Sequence, residues 1–120
     1  MVSPWNERDK EFIETLRELD LPKNEAIVLT HIFRVTQTTS RDIELRTGLR
    51  QPEVSTAVRE LIKKGWILKE DIPTKGKGRP AHMYTLRGTK GRVISSIESV
   101  QEHKMERINE CLAKLKRLAK

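Results

Sequence analysis

The sequence predicts a mainly α-helical protein with a small β-hairpin, organised as a winged helix-turn-helix with a long C-terminal dimerisation helix. Three observations support this fold class. Apolar residues recur at helical spacing up to residue 64, the pattern becomes that of strands between residues 66 and 86, and an apolar stripe runs from Ile94 to Leu115. We therefore expect residues 1–88 to form the winged helix-turn-helix unit and residues 89–120 to form the C-terminal helix.

Two helices are expected before the helix-turn-helix. The first covers about residues 5–19, with Ser3 and Pro4 as its start, and Leu21 and Pro22 break it because proline cannot continue a helix. Its apolar face consists of Trp5, Phe12, Ile13, Leu16 and Leu19. The second helix covers about residues 23–34, and a polar, Thr-rich link from residue 36 to residue 40 follows it.

Two short helices joined by a glycine turn predict the helix-turn-helix. The first runs from about Ser40 to Thr47, with Thr39 or Ser40 as its cap and Gly48 as its C-terminal residue in the left-handed region. The second runs from about residue 51 to residue 64 and ends at Gly65. The apolar residues of the first of these helices are Ile43 and Leu45, and Leu49 in the turn is expected to pack inwards. The side chains that the second helix is expected to bury are Val54, Ala57, Val58, Leu61 and Ile62.

A β-hairpin with a basic tip is predicted next. Its strands cover residues 66–72 and 83–86, and the segment between them is rich in glycine, proline and cations. The cations of this tip, which would form the wing, are Lys75, Lys77 and Arg79. Such side chains can contact a phosphate backbone or enter a narrow minor groove.

The charge distribution favours a polyanionic partner. The chain has 120 residues, with 24 Lys and Arg against 17 Asp and Glu, a net charge of +7 and a pI near 9.8. Residues 35–88 carry 11 basic and 6 acidic side chains, whereas residues 1–34 carry 5 and 7. The middle segment therefore holds the expected electrostatic footprint, and the N-terminal helix is expected to point away from a phosphate backbone.

The outer face of the second short helix supplies the candidate DNA contacts, because one helix fits the major groove. These candidates are Arg50, Gln51, Pro52, Ser55, Thr56, Arg59 and Lys63, with Ser40 and Arg41 in support from the preceding helix. Arg59 could pair with guanine, and Arg50 and Lys63 suit phosphates. Glu53 could either accept from a cytosine amine or simply stabilise the helix N-terminus.

No enzyme, metal site or cofactor is expected. The three histidines are scattered without metal-ligand spacing, and the chain has no paired cysteine motif, phosphate-binding loop or Ser/His/Asp pattern. The single cysteine, Cys111, favours a reducing compartment; a buried thiol is its simplest interpretation, and an intersubunit disulfide or a redox switch is the alternative. No apolar run is long enough to cross a bilayer, so we expect a cytoplasmic protein without a membrane partner.

Three segments together resemble a known family. The order Leu19–Phe33, then TSRDIELRTGL at 39–49, then VSTAVRELIKKGW at 54–66 is similar to the winged-helix domains of TrmB-like and MarR-like prokaryotic regulators. Residues 21–26 resemble the start of the TrmB-like domain, and residues 78–84 resemble its wing. The resemblance covers about residues 12–87 and implies sequence-selective binding of double-stranded DNA as a dimer, by the helix after Gly48, in a protein of archaeal source. The separate sugar-binding domain of full-length TrmB-like proteins has no counterpart in these 120 residues, so a small-molecule effector stays unknown.

The last helix is the expected homodimer interface. Its stripe repeats close to every 3.5 residues, which suits a helix pair of either direction. The stripe residues assigned to dimerisation are Ile94, Ile97, Met105, Ile108, Leu112 and Leu115. Two other functions stay open: an architectural chromatin protein that binds DNA with little sequence preference, and an adaptor that binds a protein through its winged helix.

Overall fold

The computed structural model describes residues 5–72 and 81–120. Within these ranges the chain forms five helices and one three-stranded antiparallel sheet. The elements are α1 (Glu7–Glu18), α2 (Lys23–Val35), β1 (Gln37–Thr39), α3 (Ser40–Thr47), α4 (Gln51–Lys63), β2 (Ile67–Ile72), β3 (Ala81–Leu86) and α5 (Lys90–Leu118). This confirms the predicted fold class. None of the helices in these ranges has the length and apolarity to cross a membrane.

Helix α1 begins two residues later than the sequence pattern suggested. Asn6 is its cap: the Asn6 side chain accepts from the Asp9 backbone N–H at 2.8 Å, and the Asp9 carboxylate accepts from the Asn6 N–H at 3.0 Å. Asp9 also pairs with Arg34 of α2 at 3.2 Å. The proposed start at Ser3 and Pro4 lies outside the described residues.

The Thr-rich link between α2 and α3 contains a strand, and its interpretation as a simple connection was wrong. Strand β1 pairs with β3, on the opposite edge from β2, so that the sheet order is β1–β3–β2. Thr38 lies opposite Tyr84 and is buried. A strand of three residues is too short to show an alternating pattern, and its partner lies far along the chain.

One hydrophobic core joins the helices to the sheet. Its fully buried members come from α2, α3, α4, β2 and α5, and they include Leu29, Ile32, Ile43, Val54, Leu61, Ile67 and Val93. Ile62, which was predicted to be buried, is 36% exposed, so this prediction was wrong. It lies about 100° round α4 from the fully buried Leu61, beyond the width of the buried face. Leu45, an apolar residue of α3, is 66% exposed. Leu49 packs against the core as expected.

His31 ties α2 to β1 inside this core. Its Nε2 is hydrogen-bonded to Oγ1 of Thr38 at 3.0 Å, and both side chains are buried. Burial lowers the pKa of His31 below the usual 6.5; the Asp42 carboxylate opposes this shift, and the Arg46 and Arg34 guanidiniums add to it. His31 is therefore neutral in the folded protein at neutral pH.

Acidification is expected to destabilise the protein through His31. The unfolded histidine binds a proton more readily than the folded one. The contribution of neutral His31 to the free energy of unfolding is therefore complete above pH 6.5 and is lost as the pH falls towards the lowered pKa of the folded state. One such group changes the free energy of unfolding by at most about 1.4 kcal/mol per pH unit. Urea unfolding at about pH 7.5 and 5.5 should show that the free energy of unfolding falls less between these two pH values in His31→Gln than in the wild type. His103→Gln, on the exposed face of α5, is the matched control and should keep the wild-type loss.

The turn between α3 and α4 depends on the left-handed backbone of Gly48. Its φ is +76°, and its N–H donates to the Glu44 carbonyl at 2.9 Å to close α3. A Cβ at this position would meet nothing within 4 Å, so a substitution costs only backbone strain.

Gly48→Ala is therefore expected to lower the free energy of unfolding by about 1–2 kcal/mol. Gly91→Ala is the matched control, because Gly91 lies in the first turn of α5 and its added Cβ would make only an ordinary contact, 3.8 Å from Thr89 Oγ1. Denaturant unfolding of both variants measures the difference. Equal stability losses in the two would contradict the role of the left-handed turn.

Candidate nucleic-acid interface

Helices α3 and α4 form the predicted helix-turn-helix. Thr39 caps α3 by accepting from the Asp42 N–H at 3.1 Å, and Gly48 ends it. The Leu49 N–H then donates to Thr47 Oγ1 at 3.2 Å, which holds the turn before α4 begins at Gln51. The boundaries predicted for α3 are confirmed, and α4 ends one residue earlier than predicted.

Helix α4 has one buried and one exposed side. Val54, Ala57, Val58 and Leu61 are buried against the core. The predicted contact residues lie away from that side: Ser55 is half-buried, and the exposed ones are Arg50, Gln51, Pro52, Thr56, Arg59 and Lys63. The structure thus brings the whole set to the turn and to one surface of α4. The Thr56 hydroxyl donates to the Pro52 carbonyl at 3.0 Å, so its oxygen is still available as an acceptor.

The N-terminus of α4 is closed by Glu53. Its carboxylate accepts from the Arg50 backbone N–H at 2.9 Å and from Arg50 Nε at 3.3 Å. These two bonds, with a smaller contribution from the Asn24 side chain of α2, lower the pKa of Glu53. Of the two interpretations of Glu53, these contacts are those of a helix-capping residue. They also hold the Arg50 guanidinium beside the start of α4.

The three cations of this surface differ in their neighbours. Arg50 pairs with Glu53, and Lys63 Nζ lies 3.8 Å from Oε1 of Glu60, one turn earlier in α4. Arg59 forms no ion pair with any residue that the structure describes. An exposed guanidinium without a competing carboxylate keeps its full set of donors for an incoming acceptor.

The supporting residues of α3 occupy different environments. Ser40 is half-buried, and its hydroxyl donates to the Tyr84 hydroxyl of β3 at 3.4 Å, which links the first turn of α3 to the sheet. Arg41 is exposed in the same turn. Ser40 therefore positions α3, and Arg41 is the side chain free to reach outwards.

The wing cations Lys75, Lys77 and Arg79 lie outside the described residues. Strands β2 and β3 pair from Ile67 opposite Leu86 to Ile72 opposite Ala81, which confirms the hairpin that carries them. At the start of β3, His82 is exposed and its Nδ1 lies 2.7 Å from Asp71 Oδ1. It is thus a strand residue with a cross-strand partner.

The predicted dimer stripe divides into two parts. Ile97 is only 7% exposed and packs in the protomer's own core with Val93, so its assignment to a partner surface needs correction. The first turns of a helix docked on the body must bury their inner face. The stripe residues that stay exposed on α5 are Ile94, Met105, Ile108, Leu112 and Leu115. Cys111 is also exposed, contrary to the buried thiol expected for it.

Trp66 is buried, and its indole N–H donates to Ser96 Oγ at 3.0 Å, so it attaches α5 to the winged helix. Within residues 5–72 and 81–120, no group of three or more His, Cys, Asp and Glu side chains could hold a metal ion. What the sequence pattern did not reveal is a groove between α1 and α5, because it forms only when two helices from opposite ends of the chain meet.

Comparison with known structures reproduces this fold over most of the chain. TrmBL2, described as an archaeal chromatin protein with a novel mode of DNA binding, aligns with 91% of this chain at 18% identity and a TM-score of 0.71. This chain spans only 39% of TrmBL2. A possible transcriptional regulator from Methanosarcina mazei Go1 aligns at 16% identity and a TM-score of 0.70, over 88% of this chain and 86% of its own. Reduced AbfR bound to DNA aligns at 19% identity and a TM-score of 0.52, over 92% of this chain and 82% of its own.

Sequence comparison gives the family. The search of curated proteins finds no match. The MarR family profile, in contrast, matches residues 19–78, which is half of the chain and includes both helices of the helix-turn-helix. With the resemblance seen in residues 39–49 and 54–66 confirmed in this way, the chain belongs to the MarR family.

Proposed function

We propose that this protein is a cytoplasmic transcriptional regulator that binds double-stranded DNA selectively as a homodimer. The observation that carries the proposal is the outer surface of α4, where Gln51, Thr56 and Arg59 are exposed on a helix anchored to the core by its opposite side. A helix held in this way can enter the major groove and present donors and acceptors to base edges. No catalytic role is proposed.

The surrounding residues suit contacts to the DNA backbone. Arg50 and Lys63 stand at the two ends of α4, and Arg41 stands in the first turn of α3. Cations at these positions would contact phosphates on either side of the groove, and the wing cations Lys75, Lys77 and Arg79 would extend the footprint to the backbone or the minor groove. Reduced AbfR, whose fold is similar, was solved with DNA bound.

A second function is favoured by one specific observation. TrmBL2 has a similar fold and is described as a chromatin protein. An architectural protein would use the same surface without base readout, so its affinity would be similar for all sequences and would fall steeply with salt. The similar fold alone does not separate this function from that of a regulator.

A binding selection with random duplexes separates these functions. The regulator predicts enrichment of one pseudo-palindromic site, with two half-sites about 34 Å apart. Binding at low salt without enrichment would support the architectural protein. Absence of binding at low salt would contradict both and would favour an adaptor that binds a protein.

Replacing one cation of α4 and one of the wing should have different effects. Arg59→Ala is expected to weaken binding of the selected site by about 1–3 kcal/mol and to relax selectivity at one base pair. Lys77→Ala is expected to weaken all duplexes alike and to reduce the slope of log affinity against log salt concentration by about 1. Titration of selected and scrambled duplexes at several salt concentrations measures both. Identical behaviour of the two variants would overturn this division of roles.

A further inference from the structure

A polar groove lies where the sheet meets the start of α5. Its volume is about 390 Å³, which is within the range of small-molecule sites. Thr85 of β3 lies opposite Gln37 of β1 and Leu68 of β2, so the groove opens on the outer face of the sheet, on the other side from the buried Tyr84. The polar side chains that line it include Thr36, Gln37, Glu70, Thr85 and Lys90. The groove is therefore separate from both the α1–α5 groove and the outer surface of α4.

Glu70 and Lys90 bring opposite charges to this groove, and both charges are left unpaired. Neither side chain forms an ion pair or a hydrogen bond with any residue in the ranges 5–72 and 81–120. Within the same ranges, the Gln37 amide and the Thr85 hydroxyl also have no side-chain hydrogen bond. A carboxylate and an ammonium that share a groove without bonding to each other can each accept a ligand group of the opposite charge.

The wall of the groove at Thr36 has a strained backbone. Its φ is +64°, a value that β-branched residues rarely adopt. The Thr36 N–H donates to the Ile32 carbonyl at 2.8 Å, and its hydroxyl donates to the Val35 carbonyl at 2.6 Å, so two hydrogen bonds hold this conformation. The turn ends α2 and leads directly to Gln37 in the groove. Strain of this kind is concentrated at binding sites, which makes this groove the first place to look for a ligand.

We propose that the groove binds a free α-amino acid, with the ligand's ammonium group on the Glu70 carboxylate and its carboxylate on the Lys90 ammonium. A simple anion such as phosphate would be repelled by Glu70, and a simple cation would be repelled by Lys90. A neutral ligand such as a sugar would cover both charges without pairing them, which weakens binding. A zwitterion pairs both charges at once, and Gln37 and Thr85 can bond to its remaining polar atoms.

The position of the groove suits a site that controls the DNA-binding unit. Strand β1 forms one wall and ends at Thr39, which caps α3. Glu70 belongs to the hairpin, whereas Lys90 belongs to the first turn of α5. A ligand bonded to both would fix the hairpin relative to α5. A resulting change in DNA affinity rests on the proposed function, whereas binding of the amino acid itself does not.

Calorimetric titration of the full-length protein with each of the twenty common L-amino acids, without DNA, tests the site. At least one is expected to bind with a Kd of about 1 mM or lower. For each amino acid that binds, the deaminated acid and the decarboxylated amine are the matched probes. Both should bind about tenfold or more weakly, because each loses one charge-assisted hydrogen bond. Since no DNA is present, a failure here is distinct from a failure of DNA binding.

Substitutions in the groove locate the bound ligand. Glu70→Gln and Lys90→Gln should each weaken binding about tenfold or more, and both side chains are exposed, so the fold should be kept. The matched controls are Lys69→Gln, on the opposite face of β2, and Glu106→Gln, on the exposed second half of α5; both should bind like the wild type. Absence of binding at about 10 mM by all twenty amino acids would overturn the proposal. Equal binding of the deaminated acid, or unchanged affinity in either groove variant, would also overturn it.

Discussion

Leu61→Ala is expected to lower the free energy of unfolding by about 2–5 kcal/mol. Leu61 is 0% exposed and lies on the inner side of α4, where it joins the helix to the core. Removing its side chain leaves a cavity that the surrounding close-packed core fills only partly. For a protein of this size the loss is a large part of the total stability.

Ile62→Ala is the matched control, because it removes a similar side chain from the next position of the same helix. Ile62 is 36% exposed, so its loss should cost about 1 kcal/mol or less. Urea unfolding of both variants, followed by circular dichroism at two protein concentrations, separates the core effect from any effect of association. Similar losses of unfolding free energy for the two variants would mean that α4 is rotated about its own axis relative to the core, with a different side buried.

Ile108→Asp combined with Leu112→Asp is expected to prevent dimerisation and to weaken binding of a two-half-site duplex about 100-fold or more. Both residues lie on the exposed stripe of α5, far from the core, so the change places two charges in the proposed interface without touching the fold. Loss of the dimer removes the advantage of binding two half-sites at once, which is worth about 10²–10⁴ in affinity. Sedimentation and titration of the selected duplex measure the two effects.

The control for this variant keeps the same charges on the same turns. Asn109→Asp combined with Ala113→Asp places both carboxylates off the stripe, where they should change neither association nor affinity appreciably. Affinity for a single half-site should be equal in both double variants and the wild type. Wild-type affinity of the stripe variant for the full site would show that DNA binding does not depend on this dimer.

The sequence predicted the helix-turn-helix closely because its boundaries depend on local contacts. Thr39 caps α3 through a hydrogen bond to a residue three positions away, and Gly48 adopts the left-handed backbone that few other residues tolerate. The same is true of the hairpin, whose strands lie only eight residues apart in the sequence and pair with each other. Each of these features is decided within a few residues, so the sequence pattern alone reveals it.

Features that depend on distant contacts were missed or misplaced. Strand β1 exists only because β3 offers it an open edge, and no pattern within its three residues predicts that pairing. Ile62 and Leu45 show that helical periodicity gives the direction of the buried face, whereas its width depends on how many elements pack there.

For the candidate site, the sequence by itself determined which side chains α4 exposes, since the helical repeat separates Arg59 and Thr56 from the buried side. Only the tertiary structure decided that Glu53 caps the helix and that Ile97 belongs to the core. It alone also revealed the groove between α1 and α5. The physical reason is the same in each case: hydrogen-bond partners and buried area are set by which surfaces meet in space, and a linear pattern does not contain that information.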